Sequence, residues 1–541
     1  MSGNGLRVAI VGGGLTGLSA AFYLNRLGGQ LGRDVRVTVL EASDRLGGKV
    51  NTLRRDGFVI ERGPDSFLGR KLPMLHLARD LGLLGELVGT NPAAVKTYLG
   101  HGGKLVPMPK GMNLGIPNEL GAFARTSVVS PRGKLRALDE LRIPPRADGG
   151  DESVGAFLER RLGKEMVERI AEPLLAGIHA GDLYTLSLAA TFPQFADMER
   201  RYGSVIRGMM EARLSAPAAG AKAAAARSEA VGGASVPPTA FLTFRNGLST
   251  LIETLEASLR DDGTEIRLSA RVKELERLAV ASPDARRPVE TVSGTGTAGL
   301  ADGSRTTGTS SEAGTAGLSG GAGAIGPAGV RGAEGAYRLR LADGATLDAD
   351  AVLFALPAFA TAPLLAPHSD VGALEAIRYV SVANVVFAYE DERKFNHKLD
   401  GSGFLVPHSE GRTITASTWT SSKWKHTAPE GKRLIRCYVG WAGDESGVEL
   451  TDEEMSAAVK RDLRELMGLA AEPAFVEITR LRHSMPQYPV GHVDRIAAFR
   501  AGLAERLPGV LATGHAFGGV GLPDCVEQGR EAAEQLLALR A

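Results

Sequence analysis

Cysteine is almost absent from this 541-residue chain, which has only Cys437 and Cys525. That excludes a disulfide framework and a cysteine-built metal centre, and it fits a reducing cytosol. Charge of one sign is lacking too. With 63 basic and 62 acidic residues the formal net charge is +1, so neither nucleic acid nor an anionic membrane is expected as the main partner. Aromatic residues make up only 5%. No apolar run is long enough to cross a bilayer. The longest, residues 352–367, carries Pro357, Pro363 and Pro367 and reads as a buried strand plus loop. Peripheral membrane contact stays open. A charged-then-apolar leader is also missing before the first apolar run, so a cytoplasmic location is expected.

What is there begins at residue 6. The stretch LRVAIVGGGLTG (6–17) is a short apolar run ending in Gly12, Gly14 and Gly17, the G-x-G-x-x-G pattern. An amphipathic helix follows, and then a second run, VRVTVL, ending on Glu41. In such a βαβ unit the first glycine permits the turn and the second lets a pyrophosphate approach the backbone. The third lets helix and sheet pack closely, and the acid, about 20 residues on, accepts hydrogen bonds from a ribose diol. The helix N-terminus stabilises phosphate charge through its unpaired N–H groups. Strand, glycines, helix, second strand and acid in order make a dinucleotide site the expectation. Arg45, Gly47 and Gly48 follow as R-L-G-G. This resembles the second signature of the flavin amine oxidase superfamily and selects FAD over NAD.

The pattern predicts an α/β protein: a Rossmann-like FAD-binding domain, a substrate domain with a mixed sheet, and a helical insertion domain. The FAD-binding part is expected in pieces, at 1–75, 239–280, 336–357 and 508–541. The substrate domain is expected at 76–106 and 358–507, and the helical domain at 107–212. Within the last, 154–182 reads as one amphipathic helix with a glycine-rich stop. Residues 213–238, rich in alanine, read as a flexible linker. Residues 281–335 consist mostly of Gly, Ala, Ser and Thr, a composition that cannot offset its ordering entropy by burial. A flexible excursion is expected there, with a binding loop as the alternative.

Further motifs recur in order: RLGGKVNT, ERGPDSFLGRK, PMPKG, EPLLAGIHAGD, LSLAATFPQF, STWTSSKW, YVGWAGDES, SMPQYPVGH and FGGVGLPDC. The chain resembles the protoporphyrinogen oxidase family, specifically its soluble Gram-positive type of coproporphyrinogen III oxidases. The resemblance implies non-covalent FAD, a tetrapyrrole substrate and dioxygen as acceptor, with six electrons removed in three rounds during haem biosynthesis. It leaves room for a transient contact with a downstream ferrochelatase. It also assigns residues. Gly12, Gly13, Gly14, Leu15, Thr16 and Gly17 would hold the pyrophosphate, and Glu41 and Ala42 the ribose. Arg45, Gly48 and Lys49 would continue along the phosphates. Gly63, Pro64, Asp65 and Ser66 would line the flavin, and the Val272 backbone would meet the adenine. Val520, Gly521 and Leu522 would approach the isoalloxazine and ribityl chain.

A flat ring carrying propionates needs an apolar slot and a few cations. Arg70 and Lys71 are the candidates that the resemblance favours; by themselves they read as a solvated loop pair. No catalytic side chain stands out. His179, His483, His492 and His515 are scattered, and a lone histidine is more often structural. Cys525 reads as a small packing residue. Leu481 stands where many close relatives carry tryptophan, which alters one wall of the site. The competing readings are a protoporphyrinogen IX oxidase, an amine oxidase or desaturase of the same fold, and a non-catalytic flavin-binding protein. The low aromatic content weighs against an amine cage.

Overall fold

A computed structural model of the chain describes residues 5–278 and 336–539, apart from residues 148 and 396. The expected α/β class is found. Five parallel strands run in the order Glu265–Arg267, Val35–Leu40, Leu6–Val11, Ala351–Phe354 and Val510–Ala512. Ala351–Phe354 is buried throughout, as a strand covered on both faces must be. On one face lie the helices Leu15–Gln30, Ser249–Asp261 and Leu522–Ala538. The first and last of these approach closely because Gly529 has no side chain: a Cβ there would sit 2.6 Å from the Thr16 carbonyl oxygen. On the other face packs an antiparallel sheet of Val272–Arg277, Tyr337–Leu341 and Thr346–Ala349. The last two strands form the hairpin signalled by Asp343-Gly344, with Gly344 at φ +87.

The second sheet has seven strands, in the order Phe475–Pro486, Tyr379–Tyr389, Arg433–Val439, Ile414–Thr418, Gly401–Leu405, Lys96–His101 and Lys104–Pro107. All neighbours are antiparallel except Gly401–Leu405 and Lys96–His101. The helix Asp452–Met467, started by a capping box of Thr451 and Glu454, covers its core. The helical unit has its own core, which includes Phe157, Phe195 and Ile170. It is pinned by a fully buried pair in which Arg161 Nε donates to Glu140 Oε1 at 2.7 Å. The same carboxylate takes the N–H of Val205 at 2.8 Å, at the start of the helix Val205–Ala230.

Several expectations need correction. The stretch expected as a linker, 213–238, is helical to Ala230, because alanine has the strongest intrinsic helix propensity. The helix expected over 154–182 breaks at Gly163, φ +90, and continues as a ten-residue π-helix, Val167–Ala176. The loop expected after the strand in 352–367 is the helix Ala358–Leu365. This helix and His492–Arg506, both expected in the substrate domain, pack on the face of the parallel sheet that carries the three-stranded antiparallel sheet. The helix Pro73–Asp80, which spans the boundary expected at 75/76, packs in the core of the five-stranded parallel sheet, and the first strand of the seven-stranded sheet in chain order is Lys96–His101. The excursion expected at 281–335 lies outside the described residues. Among the described residues, no helix is long and apolar enough to cross a membrane.

Candidate functional site

The glycine loop closes the first strand. Gly12 has φ +114, and a Cβ there would meet the Ala355 carbonyl oxygen at 2.5 Å. A Cβ at Gly17 would sit 2.0 Å from the Gly12 carbonyl oxygen, so the helix can lie on the strand only without one. Gly14 differs: its φ is −76, and nothing stands within 4 Å of an added Cβ. The loop therefore opens onto free space at Gly14 alone of the three. Leu15 and Thr16 begin the helix, whose N-terminus has no side-chain cap. The final helix also starts uncapped, at Gly521 and Leu522. The two helices pack closely, the start of the first against Gly529 of the last, where a Cβ would sit 2.6 Å from the Thr16 carbonyl oxygen. The start of the helix Leu15–Gln30, uncapped and without an acidic residue in its first turn, suits an anion, whereas the final helix carries Asp524 in its first turn.

The R-L-G-G turn folds over this loop. Gly47 N donates to the Gly13 carbonyl at 2.8 Å, and Arg45 is folded onto the carbonyls of Leu46 and Gly48 at 3.1 and 2.6 Å. Glu41 stands at the end of its strand. One carboxylate oxygen takes Gly13 N at 2.7 Å, and the other takes the N–H and hydroxyl of Ser43 at 2.8 and 2.7 Å. Ala42 is exposed. Ala270 N donates to the Glu41 carbonyl at 2.8 Å, which brings the strand beginning at Val272 alongside the acid.

Lys49 departs from expectation. Its ammonium does not follow the glycine loop; it turns inward to the Ser484 carbonyl and to His515 Nε2, 2.8 Å away. Burial lowers Lys49 to about 8, and burial followed by Lys49 itself lowers His515 to about 3. The imidazole is therefore neutral and accepts from the lysine. Tyr488 hydrogen-bonds the His515 carbonyl, stacks on His492 at 4.4 Å and meets His179 edge-on at 5.8 Å. His179 and His492 are likewise held neutral, near 4, chiefly by burial. Three of the four scattered histidines thus meet at one tyrosine. His483 stands apart, beside Phe359.

The Gly63–Ser66 turn leans on the same lysine: a Cβ at Gly63 would overlap the Lys49 carbonyl oxygen. Pro64 is half-buried, and Ser66 Oγ donates to Asp65 Oδ1 at 2.7 Å. Burial would raise the Asp65 carboxyl, but Lys423 and Arg436 outweigh it and hold the group near 2. Arg70 is exposed, with no ion pair among the described residues. Lys71 is not free for a substrate carboxylate: its Nζ sits 2.5 Å from Asp524 Oδ1, in the first turn of the final helix. Val520, Gly521 and Leu522 are half-exposed beside it. Leu481 pairs with Val382 in the large sheet. Asp524, Lys423 and Arg436 were missed from the sequence. Asp524 sits inside a quoted motif and could have been found; Arg436 lies in an ordinary strand pattern with no signal.

The amino-acid sequence matches the model of the flavin containing amine oxidoreductases over residues 15–303 and 329–537. It is 37% identical over 537 residues to a coproporphyrinogen III oxidase of Bacillus subtilis, covering 99% of both chains. A coproporphyrinogen III oxidase of Staphylococcus aureus is 35% identical, covering 98% of this chain and 99% of the relative. A crystal structure from Exiguobacterium sp. 255-15 that carries a protoporphyrinogen oxidase designation superposes with a TM-score of 0.78 at 33% identity, covering 99% and 100% of the two chains. The open glycine loop, the uncapped start of the first helix and the acid-ended strand fit a dinucleotide. The chain belongs to the flavin containing amine oxidoreductase family, as an FAD-dependent oxidoreductase similar along its whole length to coproporphyrinogen III oxidases.

Proposed function

We propose that the chain oxidises coproporphyrinogen III to coproporphyrin III in haem biosynthesis. One observation carries this: end-to-end similarity at 35–37% identity to coproporphyrinogen III oxidases, on a fold with an intact dinucleotide cradle. When bound, FAD supplies acceptance of a hydride equivalent and its delivery to dioxygen as peroxide. Over three rounds, one coproporphyrinogen III and three dioxygen molecules give one coproporphyrin III and three hydrogen peroxide molecules.

The residues divide the work. Gly12–Gly17 and the uncapped start of the first helix bind the pyrophosphate, Glu41 and Ala42 the ribose, and the Val272 backbone the adenine. Arg45 and Gly48 shape the turn over the phosphates. Gly63–Ser66 and Val520–Leu522 line the flavin. Arg70, the exposed cation at the rim, takes a propionate. Lys71, through Asp524, fixes the start of the final helix against the site. Protons leave to water, in the cytoplasm, and no side chain is assigned as the base.

Aerobic turnover of flavin-loaded protein with coproporphyrinogen III and protoporphyrinogen IX in parallel, followed by porphyrin fluorescence, tests the reading. Preference for the four-carboxylate substrate is expected. Faster oxidation of protoporphyrinogen IX would overturn the substrate assignment, and no oxidation of either would overturn the function.

A further inference from the structure

The lysine that turns away from the glycine loop ends on a histidine unlike its neighbours. Of the three imidazoles gathered at Tyr488, His179 and His492 are buried, whereas His515 is half-buried. Its Nε2 lies 2.8 Å from Lys49 Nζ. An ammonium has three donors and no acceptor, so Nε2 is the bare, accepting nitrogen and the ring proton sits on Nδ1. That Nδ1 has no hydrogen-bond partner among the described residues, yet unlike Nδ1 of His179 it is not shut away from solvent. His515 therefore presents one N–H to open space.

That space adjoins the dinucleotide cradle. His515 lies in the turn between the strand Val510–Ala512 and the final helix. Its neighbour Gly514, φ +126, abuts the first helix: a Cβ there would be 4.0 Å from Thr16 Oγ1. On the other side Lys49 sets its carbonyl against Gly63 and its ammonium on the Ser484 carbonyl. The Tyr488 hydroxyl donates to the His515 carbonyl, and Tyr379 meets the imidazole edge-on at 5.9 Å. Backbone, ring face and Nε2 are each held, which fixes the direction of the remaining N–H. The tautomer lasts while Lys49 keeps its proton, and burial lowers that lysine to about 8. The groups around the pair titrate elsewhere. Burial pushes Cys525, which also feels Lys71 and Asp524, up to about 11, and it raises Tyr379 and Tyr488. His179 and His492 stay near 4.

We propose that His515 is a binding residue for the flavin of FAD, donating Nδ1–H to an acceptor atom of the isoalloxazine, and that Lys49 is its positioning residue, fixing the tautomer. The flavin is the acceptor, not the pyrophosphate, because Lys49 carries its ammonium away from the glycine loop. The inference rests on the FAD placement proposed above and not on the porphyrinogen. A hydrogen bond strengthens as its acceptor gains charge, so this contact also raises the midpoint potential of the flavin.

Quenching of flavin fluorescence gives affinity, and dye-equilibrated reduction of the loaded protein gives the potential. His515→Phe keeps a ring and removes the donor. It should bind FAD about tenfold more weakly, the factor for one net hydrogen bond. Its potential should fall by about 30 mV for each further factor of ten lost by the reduced flavin. His515→Asn, whose amide donates from the same place, should recover most of the affinity. Lys49→Met should weaken FAD about as much as His515→Phe and add little to it in the double variant, because the lysine acts through the histidine. From about pH 7 to 9 the wild-type affinity should fall as Lys49 loses its proton, and that of Lys49→Met should stay level. ADP, which lacks the flavin, should bind every variant alike. Unchanged affinity and potential in His515→Phe would overturn the proposal, whereas a wild type that binds no FAD would overturn the cofactor site itself. An equal loss for ADP would put the contact on the phosphates and overturn it too. Additive losses in the double variant, or a pH profile shared by Lys49→Met, would overturn the part given to Lys49.

Discussion

Of the three fingerprint glycines, Gly14 offers the sharpest separation of cofactor binding from folding. An added Cβ at Gly14 meets nothing within 4 Å, and its φ of −76 suits any residue. Gly14→Ala should therefore fold. The weaker helix start that alanine gives in place of glycine costs a few tenths of a kcal/mol to about 1, and restriction of the unfolded chain returns about 0.4–1 kcal/mol. The net change in the flavin-free protein is close to zero. In the proposed site the pyrophosphate approaches the backbone through the free space at Gly14. A methyl group there pushes the phosphates off the N–H donors, and a charge-assisted hydrogen bond contributes about 1.5–3 kcal/mol. Losing one or two weakens FAD binding by roughly 10- to 10⁴-fold, with Gly14→Val at the severe end. Gly17→Ala is the control with the opposite signature. Its Cβ would sit 2.0 Å from a backbone oxygen, so the helix must leave the strand, and overpacking of this kind costs about 1–3 kcal/mol. Chemical denaturation of the flavin-free proteins gives stability, and quenching of flavin fluorescence gives affinity. Wild-type affinity in Gly14→Val, or a Gly14→Ala protein as unstable as Gly17→Ala, would refute the reasoning.

Three other outcomes are expected. Arg70→Ala should raise KM for coproporphyrinogen III more than for protoporphyrinogen IX with flavin retained, whereas Lys71→Ala, which unpairs Asp524, should also loosen FAD; equal effects of Arg70→Ala on both substrates would mean it meets a shared propionate. Replacing residues 279–335 by a short turn should leave flavin loading and turnover unchanged. Leu278 N already donates to the Ala336 carbonyl at 3.0 Å, and closure cost rises slowly with loop length, so lost loading would assign the segment a role. Burial lowers Lys49 from 10.5 to about 8, so between these values the unfolded chain holds a proton that the folded chain has released. Flavin-free stability should then rise as pH goes from about 8 to 10.5, with the burial penalty fully present below 8. Lys49→Met should abolish that rise in denaturation curves taken across the range, and an unchanged slope would exclude Lys49 as its source.

The local parts of this protein were legible in its amino-acid sequence. Gly12, Gly14, Gly17 and Glu41 announce a strand–turn–helix–strand unit because each answers a constraint set within a few residues: a backbone angle, an open approach, a close crossing, the end of a strand. The leucines at 251, 255 and 259 do the same for a helix face. Misreadings arose where two local tendencies competed. Alanine carried the helix from Val205 to Ala230 through a stretch whose composition suggested a linker, and Gly163 divided a helix whose apolar spacing ran on. What only the tertiary structure decided is which distant groups meet. Lys49 finds His515 across 466 positions, Lys71 finds Asp524 across 453, and Arg436 finds Gly63 across 373. A buried lysine, an ion pair at a helix start and a buried guanidinium depend on desolvation and on neighbours from other segments. Neither leaves a mark in the residues beside them.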